Sequence, residues 1–421
     1  MKKKILGICL GCFIVIILLF LGFNFLVNKP IDNNDKNEEI VQEKDNLSDI
    51  KKNYNTTVVI NNDATLYKKD NNKFIGIGTL YKDTVIDLEK IETLTKEDEY
   101  FKINNSSYYV HYKDVSSNKK QEYDQEYKNY IPFNKSIKTK TNINIYFDNK
   151  SIVKLNESVE FEIIINDSDV YYVEFLGRLC SIRKVDVLTT IENENNNSNV
   201  AKEIAVLNYH FFYDSSIGES CNQSICLKKS YFEEHLKYIK DNDYYTITTK
   251  DLDLWMDKKI NLPEKSVLIT VDDGAMGTDT HLIELLEKYD LNGTLFLITA
   301  WWPKEKYASA NLEIQSHGHD IHLENYCKNV ARGAKGLCLS KEQLVKDFQK
   351  SIDKLDGEKT SICYPFYLYN QNMLDAMEEV GFKLGFAGGE RKVTQSDDKY
   401  KIPRFVIYNY MTADNIKNIL N

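Results

Sequence analysis

Apolar and polar positions follow two rhythms along this chain. From residue 55 to 116, apolar positions alternate in short runs such as Thr57-Val-Val-Ile60, Thr84-Val-Ile-Asp-Leu88, Tyr100-Phe-Lys-Ile103 and Tyr108-Tyr-Val-His-Tyr112. Turn residues, among them Asn61-Asn62-Asp63 and Asn104-Asn105, divide these runs. Short alternating runs separated by turns predict a small all-β module. Asn142-Ile-Asn-Ile-Tyr146, Val159–Ile164, Tyr171–Phe175 and Cys180–Val185 repeat the pattern and predict a second β module over 117–188. From residue 202 to 421, strand-like runs instead alternate with helical stripes. Ile204–Asn208 precedes a predicted helix Lys229–Asp241, and Val267–Val271 precedes Thr278–Tyr289, whose stripe is Leu282, Leu285 and Leu286. Strands Thr294–Ile298 and Glu313–Gln315, helix Ser340–Leu355, strand Ser361–Tyr364, helix Gln371–Val380 and strands Lys383–Ala387 and Phe405–Ile407 complete the series. Ser340 with Gln343 makes a capping box at the third helix. Repeated βα units predict an α/β fold, a closed or partly closed parallel barrel.

The N-terminal segment changes the picture. Lys2, Lys3 and Lys4 precede an apolar run from Ile5 to Val27, broken by glycines, cysteines and Asn24. The run matches the roughly 20 residues that a transmembrane helix needs, and the lysines put its N-terminus inside. Phe23–Asn28 is a poor cleavage site, so residues 1–29 are expected to remain as a single-pass anchor in the cell membrane. The catalytic part would then be extracellular. Residues 30–54, rich in Asp, Asn, Glu and Lys, and the asparagine-rich 189–201 read as linkers. A net charge of −9 with no basic stripe excludes nucleic acid as the expected partner. Outside a membrane disulfides persist, and Cys221 with Cys226 and Cys327 with Cys338 lie in polar loops suited to local bridges. Cys180 and Cys363 fall in strand-like runs and read as buried free thiols.

Candidate chemistry is concentrated in two places. The Val267–Val271 strand ends in Asp272-Asp273-Gly274, and the carboxyl end of a buried parallel strand is where α/β folds place their reactive groups. Of seven histidines, three lie in Ser316-His-Gly-His-Asp-Ile-His322. His317 and His322 with one aspartate would make a two-imidazole, one-carboxylate metal site, with His319 as a competitor for one position. No His-Glu-x-x-His is present, which disfavours a zincin-type protease.

These motifs resemble those of the polysaccharide deacetylases of the NodB-homology class, carbohydrate esterase family 4, over about 202–410. Thr270-Val-Asp-Asp-Gly274 is similar to that family's first motif, Glu313–His322 to its second, and Ile362-Cys-Tyr-Pro-Phe366 with Asn370 to its third. Leu207-Asn-Tyr-His210, Ile402-Pro-Arg404 and the wide His317–His322 spacing look like the exopolysaccharide-type branch. The resemblance implies that Asp273, His317 and His322 bind a divalent metal, zinc or else cobalt, nickel or manganese. Asp272 would be the general base, His210 the general acid, and the Phe366 backbone N–H part of an oxyanion site, with Tyr364 also at the substrate. The arginine usually found in the third motif is Cys363 here, so Arg404, with Arg391 behind it, is the candidate to orient the base. Phe211, Trp301, Trp302 and Tyr367 are further candidates to line a sugar groove. Gly76-Ile-Gly78 and Tyr109–Val115 loosely resemble a bacterial SH3-like barrel, and paired β modules resemble wall-binding repeats. The expected function is N-deacetylation of N-acetylglucosamine residues in an envelope polysaccharide, with peptidoglycan first. Poly-N-acetylglucosamine, O-deacetylation and an inactive wall-binding protein are the alternatives.

Overall fold

The computed structural model describes residues 57–89, 99–117, 126–193 and 199–421. The expected anchor (1–29) and first linker (30–54) lie outside these. Among the described residues, no helix is long and apolar enough to cross a membrane. The chain divides into two compact units, Met1–Ile75 with Lys82–Gln121, and Gly76–Tyr81 with Glu122–Asn421.

In the first unit, Thr57–Ile60 is the middle strand of an antiparallel sheet between Val85–Asp87 and Val115–Ser117. Tyr108–His111 pairs with Ala64–Asp70 on one side and Tyr100–Lys102 on the other. Val58, Ile60, Leu66, Ile86, Phe101 and Val110 fill its core. The unit is all-β, as the alternation predicts. Its boundary differs from the expected 55–116, because Gly78–Leu80 pairs with Val153–Leu155 of the second unit. Gly78 is required there, since a Cβ would stand 2.4 Å from the Lys154 carbonyl oxygen.

The second unit joins another β module to the βα domain. Val187–Glu192 pairs with Lys135–Thr139, so this module runs past residue 188 into the stretch read as a linker. Its attachment is apolar and specific. Tyr127, Tyr130 and Ile164 share one core with Ile204, Trp255, Ile260 and Leu268 of the βα domain. The Tyr130 hydroxyl donates to Asp251 Oδ1 at 2.5 Å, and Asn166 N–H donates to the Lys259 carbonyl at 2.8 Å.

Parallel strands Leu384–Phe386, Ser361–Cys363, Leu312–Ser316, Gly293–Leu297, Ser266–Asp273 and Glu203–Tyr209 follow one another across the βα sheet. A single segment completes the ring: Ile402 bridges to Phe386, while Phe405–Val406 pairs with Leu207–Asn208. Arg404 lies between those two attachments. The outer helices bury the stripes their sequence predicts, Phe232, Leu236 and Ile239 on Lys229–Asp241, and Leu344, Phe348 and Ile352 on Lys341–Lys354. The helix expected from Thr278 begins as a wide π turn, Thr278–Leu282, and becomes α-helical at Ile283–Tyr289.

Candidate active site

The strand Ser266–Asp273 is buried throughout. In a regular strand adjacent side chains face opposite ways, which would separate Asp272 from Asp273. Here Asp273 is left-handed, with φ 76°, and Gly274 follows at φ 82°. That turn breaks the alternation, and both carboxylates line one pocket of about 440 Å³. A Cβ on Gly274 would stand 2.6 Å from Leu297 Cδ1, so the turn needs glycine.

Asp272 is held by the closing segment of the barrel. Arg404, fully buried, donates from Nη1 to Oδ1 at 2.8 Å and from Nη2 to Oδ2 at 2.9 Å. The same guanidinium donates from Nε to the Ala387 carbonyl at 3.0 Å and lies 2.8 Å from Cys363 Sγ. Cys363 occupies the position where the third motif usually has arginine, so the cation reaches the carboxylate from a different strand. Burial works to raise the Asp272 pKa, but Arg404 and His317 outweigh it and hold the carboxyl well below the usual range. Arg391 is elsewhere, in an exposed pair with Asp397.

Asp273, His317 and His322 bring one ligand atom each to within 4.8 Å of one another. Asp273 Oδ1 lies 3.3 Å from Nε2 of both histidines. It is buried without a hydrogen-bond partner among the described residues. His317 Nδ1 donates to the Cys363 carbonyl at 2.8 Å, which leaves Nε2 as the nitrogen facing Asp273. Two imidazole nitrogens and a carboxylate oxygen without a hydrogen-bond partner, converging on one point, fit a divalent cation. His319 is not part of this set. Its Nδ1 is 3.1 Å from Thr299 Oγ1, and its backbone N–H donates to Asp347 Oδ1.

His210 stands beside the carboxylates, Nε2 3.9 Å from Asp272 Oδ2. Burial holds its pKa below the ordinary imidazole value, against the pull of Asp272 and Asp273. Its charged form therefore gives up a proton readily. Phe366 lines the pocket, with its ring 4.4 Å from that of His322. Both Phe366 (φ 59°) and Tyr367 (φ 64°) are left-handed, a backbone costing roughly 1 kcal/mol or more per residue.

The side chain of Tyr364 does not belong at the substrate, contrary to the sequence expectation. It is fully buried between the sheet and the helix Gln371–Val380, and its hydroxyl donates to the Tyr400 carbonyl at 2.9 Å. Trp302 packs against the core, and Trp301 is exposed beside His322. Phe211 and Tyr367 do line the pocket.

The structure also joins Cys221 to Cys226 and Cys327 to Cys338. The first bridge encloses Gln223, Ser224 and Ile225, and the second encloses Arg332, all of which line the pocket with Glu324 and Tyr408. Sequence reasoning missed these walls, although the paired cysteines were a signal for fixed loops.

Comparison with known proteins places the chain in a family. The sequence pattern of the family described as "Polysaccharide deacetylase" matches residues 259–385. The poly-β-1,6-N-acetyl-D-glucosamine N-deacetylase of Staphylococcus aureus (strain MSSA476) is 31% identical over 221 residues, covering 48% of this chain and 73% of that protein. The chain belongs to the polysaccharide deacetylase family. Among solved structures, this deacetylase is similar to the Streptococcus pyogenes deacetylase PplD in complex with acetate, at 20% identity and a TM-score of 0.44, over 52% of this chain and 98% of that one. A polysaccharide deacetylase from Bacillus cereus is 16% identical over 78% of this chain and 98% of its own, with a TM-score of 0.43.

Proposed function

We propose that this deacetylase hydrolyses the N-acetyl group of N-acetylglucosamine residues in an envelope polysaccharide, and that the polymer is poly-β-1,6-N-acetylglucosamine. The observation that carries the chemistry is the open Asp273–His317–His322 donor set beside an Asp272 fixed by Arg404. The activity of the staphylococcal relative supports the polymer. It favours an exopolysaccharide over the peptidoglycan expected from the anchor and β modules.

A divalent cation held by Asp273, His317 and His322, with zinc the expected ion, would supply Lewis acidity toward the acetyl oxygen and the attacking water. The side chains carry the protons. Asp272 takes one from water as its oxygen attacks the carbonyl carbon, and Arg404 keeps that carboxylate ionised and aimed. His210 gives one to the nitrogen as the C–N bond breaks, leaving acetate and a free amine. The Phe366 N–H is the candidate second donor to the oxyanion. We also assign the catalytic domain to the outer face of the cell membrane. Its two disulfides support an oxidising compartment.

Acetate release by the full chain tests this reading, on poly-β-1,6-N-acetylglucosamine and on purified peptidoglycan, with zinc and with chelator. Metal-dependent release, faster on the exopolysaccharide and absent in His317→Ala, is the expected result. Faster release from peptidoglycan would reverse the polymer assignment, and loss of O-acetyl groups alone would make it an esterase. No release from a folded, metal-loaded chain would leave the wall-binding reading.

A further inference from the structure

His210 is held by a phenol whose own proton is already committed. The Tyr367 hydroxyl lies 2.9 Å from Asn208 Oδ1 and 3.3 Å from His210 Nε2. Asn208 is fully buried, and its amide Nδ2 donates to the Tyr209 carbonyl at 3.4 Å, which fixes Oδ1 as the end facing the tyrosine. An amide oxygen can only accept, so the Tyr367 O–H must donate to it. Only lone pairs of the phenol then remain for His210. Burial also raises the Tyr367 pKa, so the phenol stays a neutral O–H donor.

Two further observations indicate that this contact has a purpose beyond packing. Tyr367 keeps a left-handed backbone, φ 64°, which a bulky side chain adopts only where the surroundings impose it. Its ring also lies 5.4 Å from the Arg404 guanidinium carbon, on the group that aims Asp272. One side chain therefore touches His210 itself and the arginine that holds Asp272. The other imidazole nitrogen, Nδ1, is buried without a partner among the described residues.

We propose that Tyr367 is a positioning residue that, through Asn208, acts as an obligate acceptor and stations the His210 ring proton on Nε2, the nitrogen facing Asp272. This rests on the proposed deacetylation for its purpose, but the proton's location is independent of the substrate. The acid that serves the departing amine is the charged ring, in which both nitrogens carry hydrogen, and the Tyr367 oxygen holds its Nε2 side in the same orientation, 3.9 Å from Asp272.

The test uses the full chain, labelled with 15N at its seven histidines, with His210→Gln assigning the His210 signals. In the unsubstituted chain, free of substrate, His210 Nε2 should give the shift of a proton-bearing nitrogen. Asn208→Ala frees the Tyr367 O–H to donate to Nε2, so the ring proton should move toward Nδ1. Tyr367→Phe should lower kcat about tenfold with KM within about twofold, a fraction of what a general acid contributes, and its melting temperature reports whether the fold survives. The proposal is overturned by a bare Nε2 in the unsubstituted chain, by an unchanged His210 pattern in a folded Asn208→Ala chain, or by Tyr367→Phe keeping full kcat. A raised KM with unchanged kcat would also overturn it, because Tyr367 would then be touching the sugar. An Nε2-protonated His210 in a chain that releases no acetate would refute the proposed function and leave the proton assignment standing.

Discussion

Two ends of one parallel sheet treat buried carboxylates in opposite ways. At the start of the strand Leu312–Ser316, Glu313 accepts from Thr249 N–H at 2.9 Å, Thr249 Oγ1 at 2.7 Å, Thr294 Oγ1 at 2.8 Å and Gln315 Nε2 at 2.9 Å. At the other end, Asp273 keeps an oxygen without a hydrogen-bond partner, facing two histidines from a left-handed backbone, and Asp272 is gripped by Arg404. Burial alone therefore does not distinguish a structural acid from a reactive one. What differs is whether the lone pairs are filled. Glu313 is saturated and knits helix to sheet. Asp273 is left incomplete, as a site must be if it is to bind something else.

The largest expected effect lies at the incomplete end. Asp273→Ala should abolish zinc binding and lower acetate release by roughly a thousandfold or more. Asp272→Asn should keep the metal and lose turnover to a similar degree. Zinc titration by calorimetry decides this, and zinc bound by Asp273→Ala as tightly as by the unsubstituted chain would erase the contrast between the two ends.

Glu313→Ala should do the reverse. It leaves buried donors on Thr249, Thr294 and Gln315 without an acceptor, at a cost of roughly 2–3 kcal/mol. Folded variant should still turn over substrate at nearly the original rate. Urea unfolding with a parallel activity assay reads both quantities. Normal stability with lost turnover would put Glu313 among the working residues instead.

Much of this was legible in the sequence, for identifiable reasons. Helices Lys229–Asp241 and Gln371–Val380 carry clear apolar stripes and end where the pattern ends. Helix Thr249–Met256 was not found, being short, yet Thr248 and Asp251 form a capping box at its start. Helix Ala413–Leu420 was missed similarly, with Thr412 and Asn415 at its cap. Within the site, residue types and spacing pointed to His317, His322 and one of two aspartates, and the family resemblance to Asp273; the structure brings these three together. Spacing could not show that Asp272 and Asp273 share a pocket, because that depends on one left-handed residue. Nor could it separate Tyr364, buried under a helix, from Tyr367 at the pocket, since both follow one short strand. Arg404 was legible as a candidate, but its two-pronged grip on Asp272 depends on how the barrel closes.

The boundary at residue 202 is a further place to press the comparison. Asp251 accepts from Thr248 and from Tyr130 of the β module, and so belongs with Glu313 among the saturated acids. Tyr130→Phe removes one buried hydrogen bond to a carboxylate and should cost about 1–2 kcal/mol with kcat unchanged. Chemical denaturation of the full chain checks it. An unaltered midpoint would mean that the β module merely rests on the βα domain.

The smallest effect concerns a histidine on the saturated side. His235 is fully buried on the Lys229–Asp241 helix, its Nδ1 3.2 Å from the Tyr209 hydroxyl and its Nε2 3.2 Å from the Met411 carbonyl. Both nitrogens are occupied, with Nε2–H donating to the carbonyl and Nδ1 accepting from the phenol. Burial lowers its pKa to about 4 from the ordinary 6.5. The folded state thus resists a proton that the unfolded chain takes up readily, so stability is complete above about pH 6.5 and falls as pH drops toward 4. Near pH 5.5 the loss amounts to about 1 kcal/mol. His235→Gln cannot be charged, and although it starts less stable, its unfolding free energy should fall less steeply between pH 7.5 and 5.5. Parallel slopes for the two chains would show that the acid sensitivity originates elsewhere, with the carboxylates and histidines of the pocket the next groups to substitute.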